Sequence, residues 1–222
     1  MKLKFCLQVI LFLFSVSAMA QDVKEDLGNF TEVKVFNGLE VQLIPSGTNR
    51  IEITGHSKEE VKYEINGNRL EVRLKLNNLW SKDNTKITIF GRSIEIIDAN
   101  EGSVVEVTGD LEGEELTFRV QEGANIGAHV KGRKIVSKAV TGGKLKLSGK
   151  ATEQEVEINT GGHFYGRDLQ TKDTEISAGT AGKGEVYASE YVKASASLGG
   201  TVEIFGRPKE VDTKTSLGGR IF

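Results

Sequence analysis

Cysteine is almost missing from this chain. The single one, Cys6, lies within the first twenty residues, so the remainder holds no disulfide and no thiolate. Proline occurs twice, at Pro45 and Pro208. A chain so poor in proline can donate backbone hydrogen bonds nearly everywhere, which suits uninterrupted sheet. Histidine occurs three times, as His56, His129 and His163, with no pair at metal-ligand spacing, so neither a metal nor a cofactor is expected. No Gly-x-Ser-x-Gly elbow supports a nucleophilic triad, and the calcium nonapeptide Gly-Gly-x-Gly-x-Asp does not occur. Neither charge sign dominates: 29 Lys and Arg face 31 Asp and Glu, interleaved, for a net charge of −2. That balance argues against nucleic acid as partner.

Apolar runs of membrane-spanning length are also absent after the first segment. That segment reads as an address. Lys2 and Lys4 open it, Phe5 to Val16 is apolar apart from Gln8 and Ser15, and Ala18-Met19-Ala20 is a small-x-small cleavage site. Residues 1–20 are therefore expected to be a secretory signal peptide, cut before Gln21. Losing Lys2 and Lys4 takes the formal charge from −2 to −4. The expected location is exported: periplasm, cell surface or medium.

What is plentiful is glycine, 26 residues of it, and it recurs. The phrases Gly123-Ala124-Asn125-Ile126, Gly142-Gly143-Lys144-Leu145 and Gly161-Gly162-His163-Phe164 follow one another at steps of 19. Gly199-Gly200-Thr201-Val202 and Gly218-Gly219-Arg220-Ile221 repeat that step, and the gap of 38 between Gly161 and Gly199 hides one irregular copy at Gly179 to Gly184. A period near 20 signals a solenoid. A second ladder keeps phase: Val120, Ala139, Ile158, Ser177, Ala196, Thr215, with Phe118, Ser137, Val156, Glu175, Ala194 and Thr213 two residues earlier. Alternate positions sharing one side is strand periodicity. The ladder is mostly small or β-branched, as a narrow interior requires, and Ala139, Ser177 and Ala196 are expected to point inward. Leucine-rich and helical repeats lack their patterns here. The expected fold is all-β, a single-stranded right-handed parallel β-helix with coils of about 19 residues; another all-β solenoid or a barrel is the alternative.

The earlier part alternates as half-buried strands do: Val33-Lys34-Val35, Leu39-Glu40-Val41-Gln42-Leu43, Ile51-Glu52-Ile53, Val61 to Ile65 and Leu70 to Leu76. Asn37-Gly38 and Asn66-Gly67 mark tight turns. A polar loop, Asn77 to Asn84, holds the only tryptophan, Trp80. Residues 21–222 are read as one domain, with 21–103 an irregular first half that also closes one end and 104–222 the regular coils.

The opening from Phe30 to Leu43, the strand pair around Asn66-Gly67, and the ending Ile204-Phe205-Gly206-Arg207-Pro208 before a last Gly-Gly coil resemble the DUF2807 family of head GIN domains. These are secreted proteins, and the resemblance covers the chain from about Phe30 on. It implies a single-stranded right-handed β-helix with an adhesion-type role and brings no catalytic residues. The literal Gly-Ile-Asn tripeptide is absent; Gly123-Ala124-Asn125-Ile126 is the nearest form.

Parallel β-helices can also carry polysaccharide lyases and hydrolases, which need carboxylates converging on one face. Glu112, Glu114 and Glu115 cluster, as do Asp168, Asp173 and Glu175, but neither set repeats at coil spacing and basic residues alternate with many of them. The expected function is an exported, non-enzymatic scaffold or binding protein related to adhesion; the alternative is a polysaccharide-active lyase or hydrolase on the same fold. The partner is expected to be a cell-surface glycan or protein. Exposed aromatics bind glycans, and Trp80 is the residue singled out for binding, ahead of Tyr187 with Tyr191 and Phe164-Tyr165. The last coil ends apolar at Ile221-Phe222, which leads to the expectation of a homo-oligomer.

Overall fold

A computed structural model describes residues 22–75 and 85–222. The signal peptide expected at 1–20 and the binding residue expected at Trp80 lie outside the described residues. Among the described residues, eighteen strands form one continuous sheet. The first eight are short: β1 (Val23–Asp26), β2 (Glu32–Val35), β3 (Glu40–Pro45), β4 (Arg50–Thr54), β5 (Val61–Asn66), β6 (Arg69–Leu74), β7 (Lys86–Gly91) and β8 (Ile96–Ala99). Three long ones follow, β9 (Val104–Val120), β10 (Asn125–Ala139) and β11 (Lys144–Ile158). The rest break at a corner: β12 (His163–Gln170) and β13 (Asp173–Ala178), β14 (Lys183–Tyr187) and β15 (Tyr191–Ala196), β16 (Thr201–Phe205) and β17 (Glu210–Thr215), then β18 (Arg220–Ile221). The result is a parallel β-solenoid of about 7 turns with coils of about 19 residues.

Each coil builds two walls. In β10, Ile126, Ala128 and Val130 face inward; the alternation changes phase at a corner, and Ile135, Ser137 and Ala139 face inward after it. The first wall stacks the leading halves of β9, β10 and β11 with β12, β14, β16 and β18; the second stacks their trailing halves with β13, β15 and β17. Inside, each residue stacks on its counterpart one coil away: Phe118, Ser137, Val156, Ile176 and Ala194 form one column and Val120, Ala139, Ile158, Ala178 and Ala196 the next. Burial of a side chain as large as Phe118, which is wholly enclosed, is worth about 1.5–3 kcal/mol.

The register corrects the sequence ladder at one coil. Asp173 pairs with Glu153, an offset of 20, and with Tyr191, an offset of 18. A bulge in β12, opposite the stretch from Lys146 to Ser148, adds a residue, and the short corner before Tyr191 removes two. The columns therefore hold Ile176 and Ala178, while Glu175 and Ser177 point to solvent. Because 20 and 18 sum to 38, the glycine spacing hides the slip. Polar groups are buried at this corner: the Thr171 and Thr174 hydroxyls lie 2.8 Å apart and both stand within hydrogen-bond reach of the Tyr187 carbonyl, so one donates to the carbonyl and the other to its neighbour's oxygen.

The walls meet at a column of tight turns, at 36–39, 100–103, 121–124, 140–143, 159–162, 179–182, 197–200 and 216–219. Each has two successive positive φ angles, as in Thr141 (49°) and Gly142 (73°), and closes with a bond from its fourth N–H to its first carbonyl. This is the mirror-image turn that joins tightly twisted strands. The turns also bond to each other: Gly123 N–H donates to Thr141, Gly142 to Thr160 and Gly161 to Thr180, so the backbone ladder runs on through the corner. The two glycines of a Gly-Gly pair serve different ends. Gly142 is there for its φ and has nothing near a would-be Cβ, whereas a Cβ at Gly162 would lie 2.1 Å from the Ala139 carbonyl oxygen of the coil before.

The N-terminal region breaks the sequential order. The coil made by β2 and β3 is clasped between β6 and β7 on one side and β8 and β9 on the other, all parallel to it. Beyond it, β5 pairs antiparallel with β6, β4 with β7, and β1 with β4. The Tyr63 hydroxyl of β5 donates to the Glu25 carboxylate of β1. Burial, that bond and the Glu25 charge push the Tyr63 hydroxyl up to about 12. At the other end β17 is exposed along its whole length, with Val211 54 % accessible.

The corrected register makes a paired prediction. Ala196 is enclosed and Ser177 is not, so Ala196→Phe should cost about 1–3 kcal/mol by overpacking, while Ser177→Phe should leave the denaturation midpoint nearly unmoved. Equal effects in chemical denaturation would place the register one residue off.

Candidate binding face

Parallel stacking sets outward residues one coil apart side by side, so charge on one coil meets its counterpart on the next. Most cations around the second wall and its corner are paired this way. Lys131 meets Glu112 at 3.0 Å, Arg133 meets Glu114 at 2.6 Å and Glu153 at 3.0 Å, Lys134 meets Glu155 at 3.1 Å, Lys138 meets Glu157 at 3.0 Å and Lys193 meets Glu175 at 2.7 Å. These hydrogen bonds, then the partner charges, hold Lys131, Lys134 and Lys193 above the ordinary lysine range. Such exposed pairs add little stability; they fix which charge faces which.

The zipper engages three of the six clustered carboxylates. Glu112 and Glu114 are engaged by Lys131 and Arg133, and Glu175 by Lys193. Glu115 lines a cleft of about 500 Å³ together with Arg92, Glu95, Glu112 and Glu114. Asp168 stands on the first wall, whereas Asp173 and Glu175 stand on the second. The second cluster thus never converges. Among the described residues, no group of three or more His, Cys, Asp or Glu could hold a metal ion.

The first wall is different. Asn125, Lys144, His163 and Lys183 stand in one row on successive coils, and Gly127, Lys146, Tyr165 and Glu185 form the next row. Neighbouring coils lie about 4.8 Å apart. Among the described residues, no carboxylate lies within ion-pair distance of Lys144, Lys146, Lys150 or Lys183. His163 bonds through Nδ1 to the Tyr165 hydroxyl at 3.0 Å. Burial first, then the charges of Lys183 and Lys144, hold the His163 imidazole below its ordinary value. Beside these rows runs a groove of about 360 Å³ lined by His129, Lys131, Ser148, Lys150, Asp168 and Gln170.

His129, Ser148 and Asp168 occupy one row of that groove, which puts the three residue types of a hydrolytic triad on adjacent coils. Their order forbids the chemistry. His129 Nδ1 already faces Ser148 Oγ at 2.9 Å, and Asp168 sits on the far side of Ser148, where it cannot orient the ring. Of the aromatic residues singled out by sequence, Phe164 is buried, Tyr165 is exposed, Tyr187 lies on the first wall and Tyr191 on the second. The lysine rows escaped the sequence reading, although the residue after each Gly-Gly pair, Lys144 and then His163, was in view.

Fold and repeat define a parallel β-solenoid repeat protein. The chain belongs to the DUF2807 family, described as "Putative auto-transporter adhesin, head GIN domain", which matches residues 29–208. The solved structure of a "putative adhesin" from Bacteroides fragilis is 18 % identical with a TM-score of 0.81, covering 90 % of this chain and 95 % of that one. A "putative adhesin" from Parabacteroides distasonis is 17 % identical with a TM-score of 0.73, over the same shares of the two chains. A "putative lipid binding protein" from Parabacteroides distasonis is 10 % identical with a TM-score of 0.66, over 91 % and 96 %. Identities this low show the shared fold alone. No curated protein matches the chain. No helix among the described residues is long and apolar enough to cross a membrane.

The electrostatics of the lysine rows are open to measurement. A lowered folded-state value means that folding disfavours the charged ring. Stability should therefore rise with pH from the depressed His163 value up to the ordinary ~6.5. NMR titration should find His163 below the ordinary value, and Lys183→Gln should move it upward. An unmoved titration would show that Lys183 does not act on the ring.

Proposed function

We propose that this chain is an exported, non-enzymatic β-helix scaffold that presents a binding surface for adhesion to a cell-surface glycan or protein. The observation that carries this reading is the charge zipper: Glu112, Glu114 and Glu175, half of the clustered carboxylates, are tied to cations on adjacent coils, and Asp168 stands on the other wall from Asp173 and Glu175. The family description and the names of the structural relatives support it, and export rests on residues 1–20. The mature chain from 21 to 222 acts as one domain in this reading. A polysaccharide-active lyase or hydrolase is the second reading, and the cleft beside Arg92 and Glu115 favours it. A glycan array probed with the purified protein, run beside a reducing-end assay on uronate and neutral polysaccharides, separates the two. Binding without turnover is expected. Turnover lost in Glu115→Gln or Asp168→Asn would establish the enzyme instead.

The exposed strand β17 supports self-association. Its outer edge offers unpaired N–H and C=O groups, and Val211, Leu217 and Phe222 add apolar area. A small homo-oligomer is the expected state in light scattering at micromolar concentration, dissociating in Val211→Glu. A monomer mass at all concentrations would refute the association.

A further inference from the structure

Lys144, Lys146, Lys150 and Lys183 on the first wall have no carboxylate partner in a fold that pairs most other cations, and the exposed Arg167 and, on the last coil, Arg220 share this. The reason is their neighbours. Directly across from Lys144 stand Asn125 and His163; from Lys146, Gly127 and Tyr165; from Lys150, Lys131 and Gln170; from Lys183, His163 and Thr201. None is a carboxylate, although the same strands β10 and β11 pair Lys134 and Lys138 with glutamates on the second wall. Like charges gathered on one sheet face are destabilising, so the rows cost the free protein something that a ligand of opposite charge would relieve.

We propose that this face binds a linear polyanionic polysaccharide lying along the stacking axis, between the coils of Asn125 and Lys183. This deepens, and rests on, the reading of the chain as an exported binding scaffold. Lys144 and Lys183 are two coils apart, on the order of 9.6 Å, and Lys144 and Lys146 are two residues apart along the strand, about 6.8 Å. A polymer with a charge on every sugar or every second sugar can meet such a grid at several points, and multiple weak contacts on one chain reinforce each other. The surroundings suit a sugar. Tyr165, 38 % exposed, offers a ring face, and the adjoining groove offers His129, Ser148 and Gln170 to hydroxyl groups. His163, disfavoured as a cation, bonds to Tyr165 rather than adding to the charge.

Other polyanions fit less well. The free cations between the coils of Asn125 and Lys183 are mainly lysines, point charges without the fork that favours arginine at phosphates, and the one arginine among them, Arg167, is laid over the Phe205 ring. The face also keeps the acidic Asp168 and Glu185 and, lying over Gly127, the Glu106 carboxylate, and the chain as a whole is at −2, which disfavours the dense phosphate of duplex DNA. Tyr165 is its one exposed large apolar group, so a lipid bilayer finds little to hold.

Biolayer interferometry on the purified chain tests the idea with heparin for sulfate, polygalacturonate for carboxylate, and dextran as the neutral control. Phosphatidylglycerol vesicles and duplex DNA complete the set. Both acidic polysaccharides should bind, less tightly as salt rises, and dextran should not. The combined Lys144→Gln, Lys146→Gln and Lys183→Gln variant should lose about tenfold or more in affinity. The combined Lys134→Gln, Lys138→Gln and Lys193→Gln variant, which removes paired lysines, should bind as the parent does; circular dichroism confirms that both fold. Equal losses in the two variants, or tighter binding to vesicles or DNA than to either polysaccharide, would overturn the proposal. A chain that binds array glycans or proteins but neither acidic polysaccharide refutes this proposal and leaves the scaffold reading standing. A chain that binds nothing refutes both.

Discussion

Every strand of the regular region before β17 finds its hydrogen-bond partners in the coils on either side, in parallel register, and this pairing continues through the turns that join the walls. Once each coil must lie in register on the last, the coil length can vary only if another coil compensates. The 20-residue step at β12 and the 18-residue step after it do so, returning the chain to phase by Thr201. The irregular pair also explains its own chemistry. At the short corner the Tyr187 carbonyl is met by the linked hydroxyls of Thr171 and Thr174.

The same register governs the surface. A solenoid has no choice about which outward residues are neighbours: position along the coil decides it. Glutamate opposite lysine on the second wall yields ion pairs without long side chains having to search for one another. Lysine opposite asparagine, histidine or threonine on the first wall yields exposed charge. One backbone rule therefore gives a neutralised wall and a positive strip on a chain that is acidic overall. Its two ends differ as well. Antiparallel strands and the Tyr63–Glu25 bond cover the N-terminal end, while β17 shows its edge.

Membership of the adhesin-named family and the likeness to solved structures speak to the solenoid as a whole. The chemistry has to be argued from side chains, because relatives at 18 % identity or below need not keep the same outward residues. A solenoid wall is held by backbone bonds and inward columns, so its outer positions are free to differ.

The Gly-Gly spacing, the alternation and the near absence of proline determined the repeat, the strand class and most of the inward column, since coil length and turn chemistry are local properties written in consecutive residues. Phe118, Ala139, Ile158 and Ala196 were legible for that reason. Ser177 and Glu175 were not, because a bulge and a shortened corner cancel over 38 residues and leave no mark on the glycine spacing. The clasping of β2 and β3 between strands from both later segments, and the first wall's lysine rows, were decided by tertiary structure alone. Both depend on which coil lies against which, and that is settled by hydrogen bonds between residues distant in the chain.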